Sequence, residues 1–250
     1  MEDIGSQIKE LVELNKQHIT LFNKEIEIND SIILMWIVMA VLIIFALVFT
    51  RKLKTIPEGK QSFIEVVVEF VNNFTKDNVG HHWKIFSPFI GTVLLFLIVS
   101  NTIAIFNIIP SGHDLYRLTH IEFFKEFHFE LHPPTKDVNV TLGMAILSMI
   151  AVLVSGIKVK KISGWLKSFL EPVPLMLPFK ILDYFIRPVS LCFRQYGNIL
   201  GAVIVMKLAY TAMPLVFPGV ISIYFDLFDG ILQAYVFCFL TCLYIGEAIE

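Results

Sequence analysis

Charge is scarce in this chain. Of its 250 residues, 17% are Asp, Glu, Lys or Arg, where a soluble domain has about 25%. No basic excess exists either, since the net charge is −2, so no field points to nucleic acid. Cysteine is nearly absent. Cys192, Cys238 and Cys242 all sit in apolar runs, which excludes a disulfide framework and reads as reduced packing residues. Internal repeats, low-complexity tracts and a phosphate-binding glycine loop are also missing, so no cofactor is expected and no nucleotide should bind directly.

What is abundant is apolar length. The chain is 56% hydrophobic with a mean hydropathy of +0.70. Ser31–Phe49, Ile85–Ile109 and Val138–Ile157 are uncharged for 19, 25 and 20 residues, and a bilayer span needs about 20. In lipid such runs must be helical, because no water satisfies a bare backbone. The thirty mostly polar residues before the first run argue against a signal peptide.

Flanking charge sets an expected orientation. Arg51, Lys52, Lys54 and Lys60 follow the first run, and Lys158, Lys160, Lys161 and Lys167 follow the third. Loop 111–137 and residues 1–30 are richer in acids. Positive segments stay inside. The N-terminus and loop 111–137 are therefore expected outside, with the C-terminus cytoplasmic. Ser62–Asn78 has apolar residues at helical spacing, with Ser62 and Glu65 as a possible capping box after Pro57 and Gly59. This predicts an interfacial helix on the inner surface, or one buried against a partner.

The last third holds ions at membrane depth. Pro214, Pro218 and Gly219 suggest a turn between two long tilted helices, 175–211 and 220–249. Arg194 precedes 12 uncharged residues, and an arginine so placed is a functional candidate by default. Lys180, Asp183, Arg187, Ser190, Gly197, Asn198 and Gly201 fall within about 60° of it on a helical wheel. Asp183 and Arg187 can pair at i,i+4; Arg194 has no acid within a turn. Gly197 and Gly201 permit close approach by another helix. An arginine that merely ties two helices together is the bland reading. On the final helix, Asp226, Asp229, Gln233, Tyr244 and Glu247 fall within about 40° of Ser222 at α-helical spacing, a possible ion inlet or simply a water-facing edge. Lys207 lies about 140° from Arg194 and either snorkels outward or pairs with Asp226. The expected fold class is an all-α integral membrane protein with about five crossing helices, an inner-surface amphipathic helix and a final hairpin of two long tilted helices.

The stretch Arg187-Pro-Val-Ser-Leu-Cys-Phe-Arg-Gln-Tyr-Gly-Asn198 closely resembles the signature of subunit a of bacterial F-type ATP synthases. Pro133–Leu142 and Ile231-Leu-Gln-Ala-Tyr-Val-Phe237 resemble two further parts of that family, in the same order. The resemblance implies an ion-translocating stator subunit in the bacterial plasma membrane. Its implied partners are a ring of c subunits, the peripheral-stalk b subunits, the lipid bilayer and a transported H⁺ or Na⁺. Arg194 takes the position of the family's essential arginine, with Asn198 and Gln233 as nearby polar positions. Asp226 matches a site where relatives have His or Glu in the ion path, with Asp229 and Ser190 as further translocation candidates. Lys207 and Tyr244 are candidates for inlet or interface. Many relatives have an acid where Val203 stands here, so the inlet is expected to be rearranged.

Two other classes compete. A secondary transporter predicts paired repeats and a midplane substrate site. An intramembrane metalloenzyme would draw on His81, His82, His113, His120, His128 and His132, but Glu130 is out of register for H-E-x-x-H.

Overall fold

A computed structural model describes residues 16–21, 24–51, 54, 57, 59–103, 133–168, 175, 177–212 and 221–249. Lys207 and Asp226 are placed by their backbone alone. The expected turn at Pro214–Gly219, most of loop 111–137, and His113, His120, His128 and His132 lie outside the described residues.

Among the described residues, helices dominate. They are α1 Asp30–Thr50, α2 Lys60–Val79, α3 Trp83–Thr102, α4 Val138–Ser168, α5 Leu177–Ala212 and α6 Gly230–Ile249. Five helical stretches are long and apolar enough to cross a membrane, with α2 and α3 together forming one of them. The protein is an all-α, multi-pass membrane protein. The strands among the described residues form a short antiparallel hairpin, β1 Lys16–Leu21 and β2 Lys24–Asn29, in which Lys16 is paired with Asn29 and Leu21 with Lys24.

Three local features differ from the sequence reading, each for a backbone reason. The Ser62–Glu65 capping box does not form. The helix begins two residues earlier, after Gly59 at φ 60°, without a side-chain cap. Gln61 takes over: it exchanges hydrogen bonds with both backbone groups of Lys54 and donates to Glu65 at 2.8 Å. Secondly, α4 runs eleven residues past Ile157 and kinks at Lys161, whose φ is 60°. Thirdly, Ile223–Asp229 is π-helical. An i→i−5 turn takes about one residue more than the 3.6 of an α-turn. It rotates the helix on one side by roughly 100° relative to the other. The single face expected for Ser222, Asp226, Asp229 and Gln233 assumed α-spacing throughout and does not hold across this stretch.

The chain forms two compact units. The first comprises Met1–Val38, Leu97–Val140 and Tyr196–Gln233. Within it Val38, Leu97 and Ile199 are buried alongside an unusual number of polar residues: Ser100, Asn101, Thr135, Asp137, Ser222 and Gln233. Asp137 accepts from Asn29 at 2.9 Å and from the backbone of Asn139 at 2.8 Å, capping the start of α4.

The second unit comprises Met39–Phe96, Thr141–Gln195 and Ala234–Glu250. Its core holds Ile90, Val152, Leu191, Phe237 and Ile245, with free, buried Cys192, Cys238 and Cys242. Helix α2 packs its later half here. Phe74 meets the rings of Tyr235 and Phe239 at 5.2 and 6.3 Å, and Ser87 hydrogen-bonds Asn72. Small and hydroxyl residues let the helices close in, as in membrane interfaces generally. Ser148 meets Thr241 at 2.8 Å, and Thr141 meets the Cys192 sulfur at 3.6 Å. Gly246 lies directly against the backbone of Asn78. The early part of α2 leaves Phe63, Val66 and Phe70 exposed.

Candidate functional site

Helix α5 is 36 residues, largely apolar, with Pro188 inside. Arg194, Ser190 and Gly197 are exposed on it, and Gly201 is half-exposed. Helical spacing puts these four within about 60° of one another. A Cβ built on Gly197 or Gly201 would meet nothing within 4 Å. Beside them runs an exposed apolar stripe at i, i+4, i+7 and i+11: Leu182, Ile186, Val189 and Phe193. Cys192 and Gln195, about 160° and 100° from Arg194 at helical spacing, are buried, as is Leu191. The bare face is therefore a property of one side of the helix.

Arg194 has no hydrogen-bond or ion-pair partner among the described residues. Arg187, two turns earlier, is the opposite case. It donates to Asp183 from Nε and Nη2 at 2.9 and 2.5 Å, pairs with Glu247 at 2.6 Å, and lies 4.5 Å from the Tyr244 ring centroid. One cation thus satisfies two carboxylates and an aromatic face. Sequence spacing showed the Asp183 pair, but not Glu247 or Tyr244, which reach Arg187 from α6. The Tyr244 ring is engaged in that cluster.

On the first unit, Asn198 donates from Nδ2 to Asp229 Oδ2 at 2.6 Å, joining α5 to the π-helical stretch. A charge-assisted bond of this kind is shorter and stronger than a neutral one. Asp226 lies in the same stretch. Gln233 is 5% exposed, and its Nε2 has no hydrogen-bond partner among the described residues. A buried amide donor left unsatisfied is costly, and its presence calls for a reason. Two further residues escaped the sequence reading. Asn101 donates to Gly230 O at 3.0 Å and accepts from Thr135 Oγ1 at 2.9 Å. Asn101 is an amide inside an uncharged run, while Thr135, next to Lys136 and Asp137, gave no such signal. No group of three His, Cys, Asp or Glu among the described residues could hold a metal; His81 and His82 are exposed in a short 3-10 turn.

These features define a multi-pass membrane protein that presents, on the exposed side of a largely apolar helix, a cation without a hydrogen-bond or ion-pair partner among the described residues. Residues 32–246 match the family model described as ATP synthase A chain. The chain belongs to the ATP synthase A chain family: it is subunit a of the F-type enzyme, a component of the membrane sector that works in association with other ATP synthase subunits.

Proposed function

We propose that this chain is the ion-translocating stator of its complex, and that Arg194 is the residue on which translocation turns. The observation that supports this most is the state of Arg194. It is a cation on a largely apolar helix, exposed and unpaired among the described residues, flanked by Ser190, Gly197 and Gly201. A rotating c-ring brings one membrane carboxylate after another past a fixed surface. A smooth face admits the passing helix, and a guanidinium favours the carboxylate in its ionised form.

The cycle follows from that charge preference. An ionised ring site meets Arg194, leaves it on rotation, and takes up H⁺ or Na⁺ from a half-channel open to the outside. After a turn of the ring it approaches Arg194 again from the other side. The cation is then released toward the inside, because the carboxylate beside the guanidinium is more stable without it. Arg194 also repels cations that would leak directly between the half-channels. Arginine suits the task because its charge persists where a buried lysine sheds its proton. Each elementary charge crossing gains ~2.3 kcal/mol per 100 mV, and ATP forms on other subunits.

Asp226, Asp229, Asn198 and Gln233 form the outer approach in this reading. The Asn198–Asp229 bond and the unsatisfied Gln233 amide support it, since both suit a path in which water or an ion completes the hydrogen bonding. Lys207 belongs to the outer end of α5. Termini and loop 111–137 follow the charge pattern, with the N-terminus outside and the C-terminus in the cytoplasm of a bacterial cell. The peripheral-stalk b subunits hold the chain against rotation, and the chain has no catalytic site of its own.

The test is ATP synthesis and passive ion flux in vesicles holding equal amounts of assembled complex. Arg194→Ala should abolish synthesis, with passive flux kept or raised. Arg194→Lys should fail too. Robust synthesis by Arg194→Ala would refute the assignment. Loss of assembly with alanine and rescue by lysine would mark a structural tie instead.

A further inference from the structure

Asn101 and Thr135 are buried, at 3% and 0% exposure. Thr135 sits in the 3-10 turn ahead of α4, and Asn101 next to the last residue of α3. Their bonds run in one line: Thr135 Oγ1 donates to Asn101 Oδ1, and Asn101 Nδ2 donates to the carbonyl of Gly230. Gly230 is the boundary of the wide turn. Its N–H is shared between Leu227 O and Phe225 O, the latter the i→i−5 pattern, and α-spacing resumes after it. The approach is close: a Cβ there would stand 3.2 Å from the Asn101 Cβ, tighter than an ordinary van der Waals contact.

A wide turn is not tied to one place by its own bonds. It can slide along a helix by changing which carbonyl is skipped, or close into an α-turn. Moving it past a residue rotates that residue by up to roughly 100° against the rest of the helix. Asp229 is the residue just before the boundary, and its carboxylate holds Asn198 at 2.6 Å. A side-chain donor bound to the Gly230 carbonyl, seated against a Cβ-less carbon, opposes that slide.

We propose that Asn101, oriented by Thr135, is a positioning residue for ion entry: by pinning the π-to-α boundary at Gly230 it keeps Asp229 on Asn198. This rests on reading Asp229 and Asn198 as part of the outer approach. Neither Asn101 nor Thr135 needs to touch the ion.

The experiment is ion-driven ATP synthesis by the intact complex in proteoliposomes, at equal amounts of assembled enzyme. Thr135→Val keeps the shape and removes the donor; Thr135→Ser keeps the donor and removes a methyl. Both, and Asn101→Ala, are made alone and with Asp229→Asn. Loss of one buried hydrogen bond should slow synthesis about fivefold in Thr135→Val and Asn101→Ala. Thr135→Ser should stay within about twofold, and neither slow variant should slow Asp229→Asn further. A tolerated valine with an impaired serine would make Thr135 a packing residue and overturn the proposal. So would losses that multiply with Asp229→Asn. If Asp229→Asn alone runs at the wild-type rate, the reading of the outer approach fails; if it is slow while Thr135→Val is not, only the positioning role fails. Should Asn101→Ala not assemble, the Thr135 pair decides.

Discussion

Two kinds of glycine in this chain make opposite predictions for the same substitution. Gly246 on α6 faces the backbone of α2, and a Cβ there would lie 2.6 Å from the carbonyl oxygen of Asn78. Carbon and carbonyl oxygen rest at about 3.3–3.6 Å even in close Cα–H···O contacts. Gly246→Ala must therefore push two helix backbones about 0.7 Å apart. The obstacle is backbone, so no rotamer change relieves it. Overpacking of this kind costs about 1–3 kcal/mol, while alanine in a helix interior regains roughly 0.5–1 kcal/mol. The net loss is centred on ~1 kcal/mol and reaches at most ~2.5, and ~1 kcal/mol in a chain of this size corresponds to about 2–4 °C. Gly201→Ala on α5 gains the same helix propensity and meets nothing within 4 Å, so it should leave the chain as heat-resistant as before. Any fall in its ATP synthesis must then come from a neighbouring subunit. The assay heats the solubilised complex and follows how much of this chain stays in it, with synthesis measured separately. If Gly246→Ala proves as heat-resistant as Gly201→Ala, the packing of α2 on α6 is wrong.

Further outcomes follow from other parts of the molecule. Asp226→Asn should slow ion-driven synthesis without loss of assembly; a wild-type rate in assembled complex removes Asp226 from the ion path. Arg187→Lys keeps a charge but loses the forked donor and planar stacking on Tyr244, so heat resistance should fall by the equivalent of about 1 kcal/mol, with ion coupling retained. A coupling defect in Arg187→Lys without instability would move that residue into the mechanism. A cysteine at position 160 in sealed vesicles should react only with reagent supplied from the inner face; outside-only labelling would invert the topology.

The membrane helices were legible because their cause is local and one-dimensional. An uncharged run of 19 residues at Ser31–Phe49 has no alternative in lipid, and α1 Asp30–Thr50 covers it. Arg194 is a candidate on the same local ground, since the cost of a charge in an uncharged run depends on residue type and position in that run. What escaped depends on backbone choices with no residue signature. Lys161 adopts a positive φ in a stretch whose composition favours helix. The π-turn at Ile223–Asp229 altered the phase on which the α6 stripe had been drawn. Contacts across long separations also escaped: Glu247 and Tyr244 reach Arg187, and Asn101 reaches Gly230 over 129 positions. No spacing rule links such residues. Ser62 shows the reverse error, where a local motif was present but the helix had already begun.

The wide turn at Ile223–Asp229 also bears on how this chain is set beside its kin. A π-turn is the way a helix absorbs one inserted residue without shifting the packed segment beyond it. Gly246 of Gly230–Ile249 packs against the Asn78 backbone, so a residue absorbed upstream leaves that contact in place. A kindred sequence with a plain α-turn here would be one residue shorter between its outer loop and its last helix. Column-by-column matching would then pair Asp226 with the wrong neighbour, and an insertion or deletion at this point would trade one acidic position for the next. Equivalence along this stretch is better reckoned backward from Gly230 than forward from the loop.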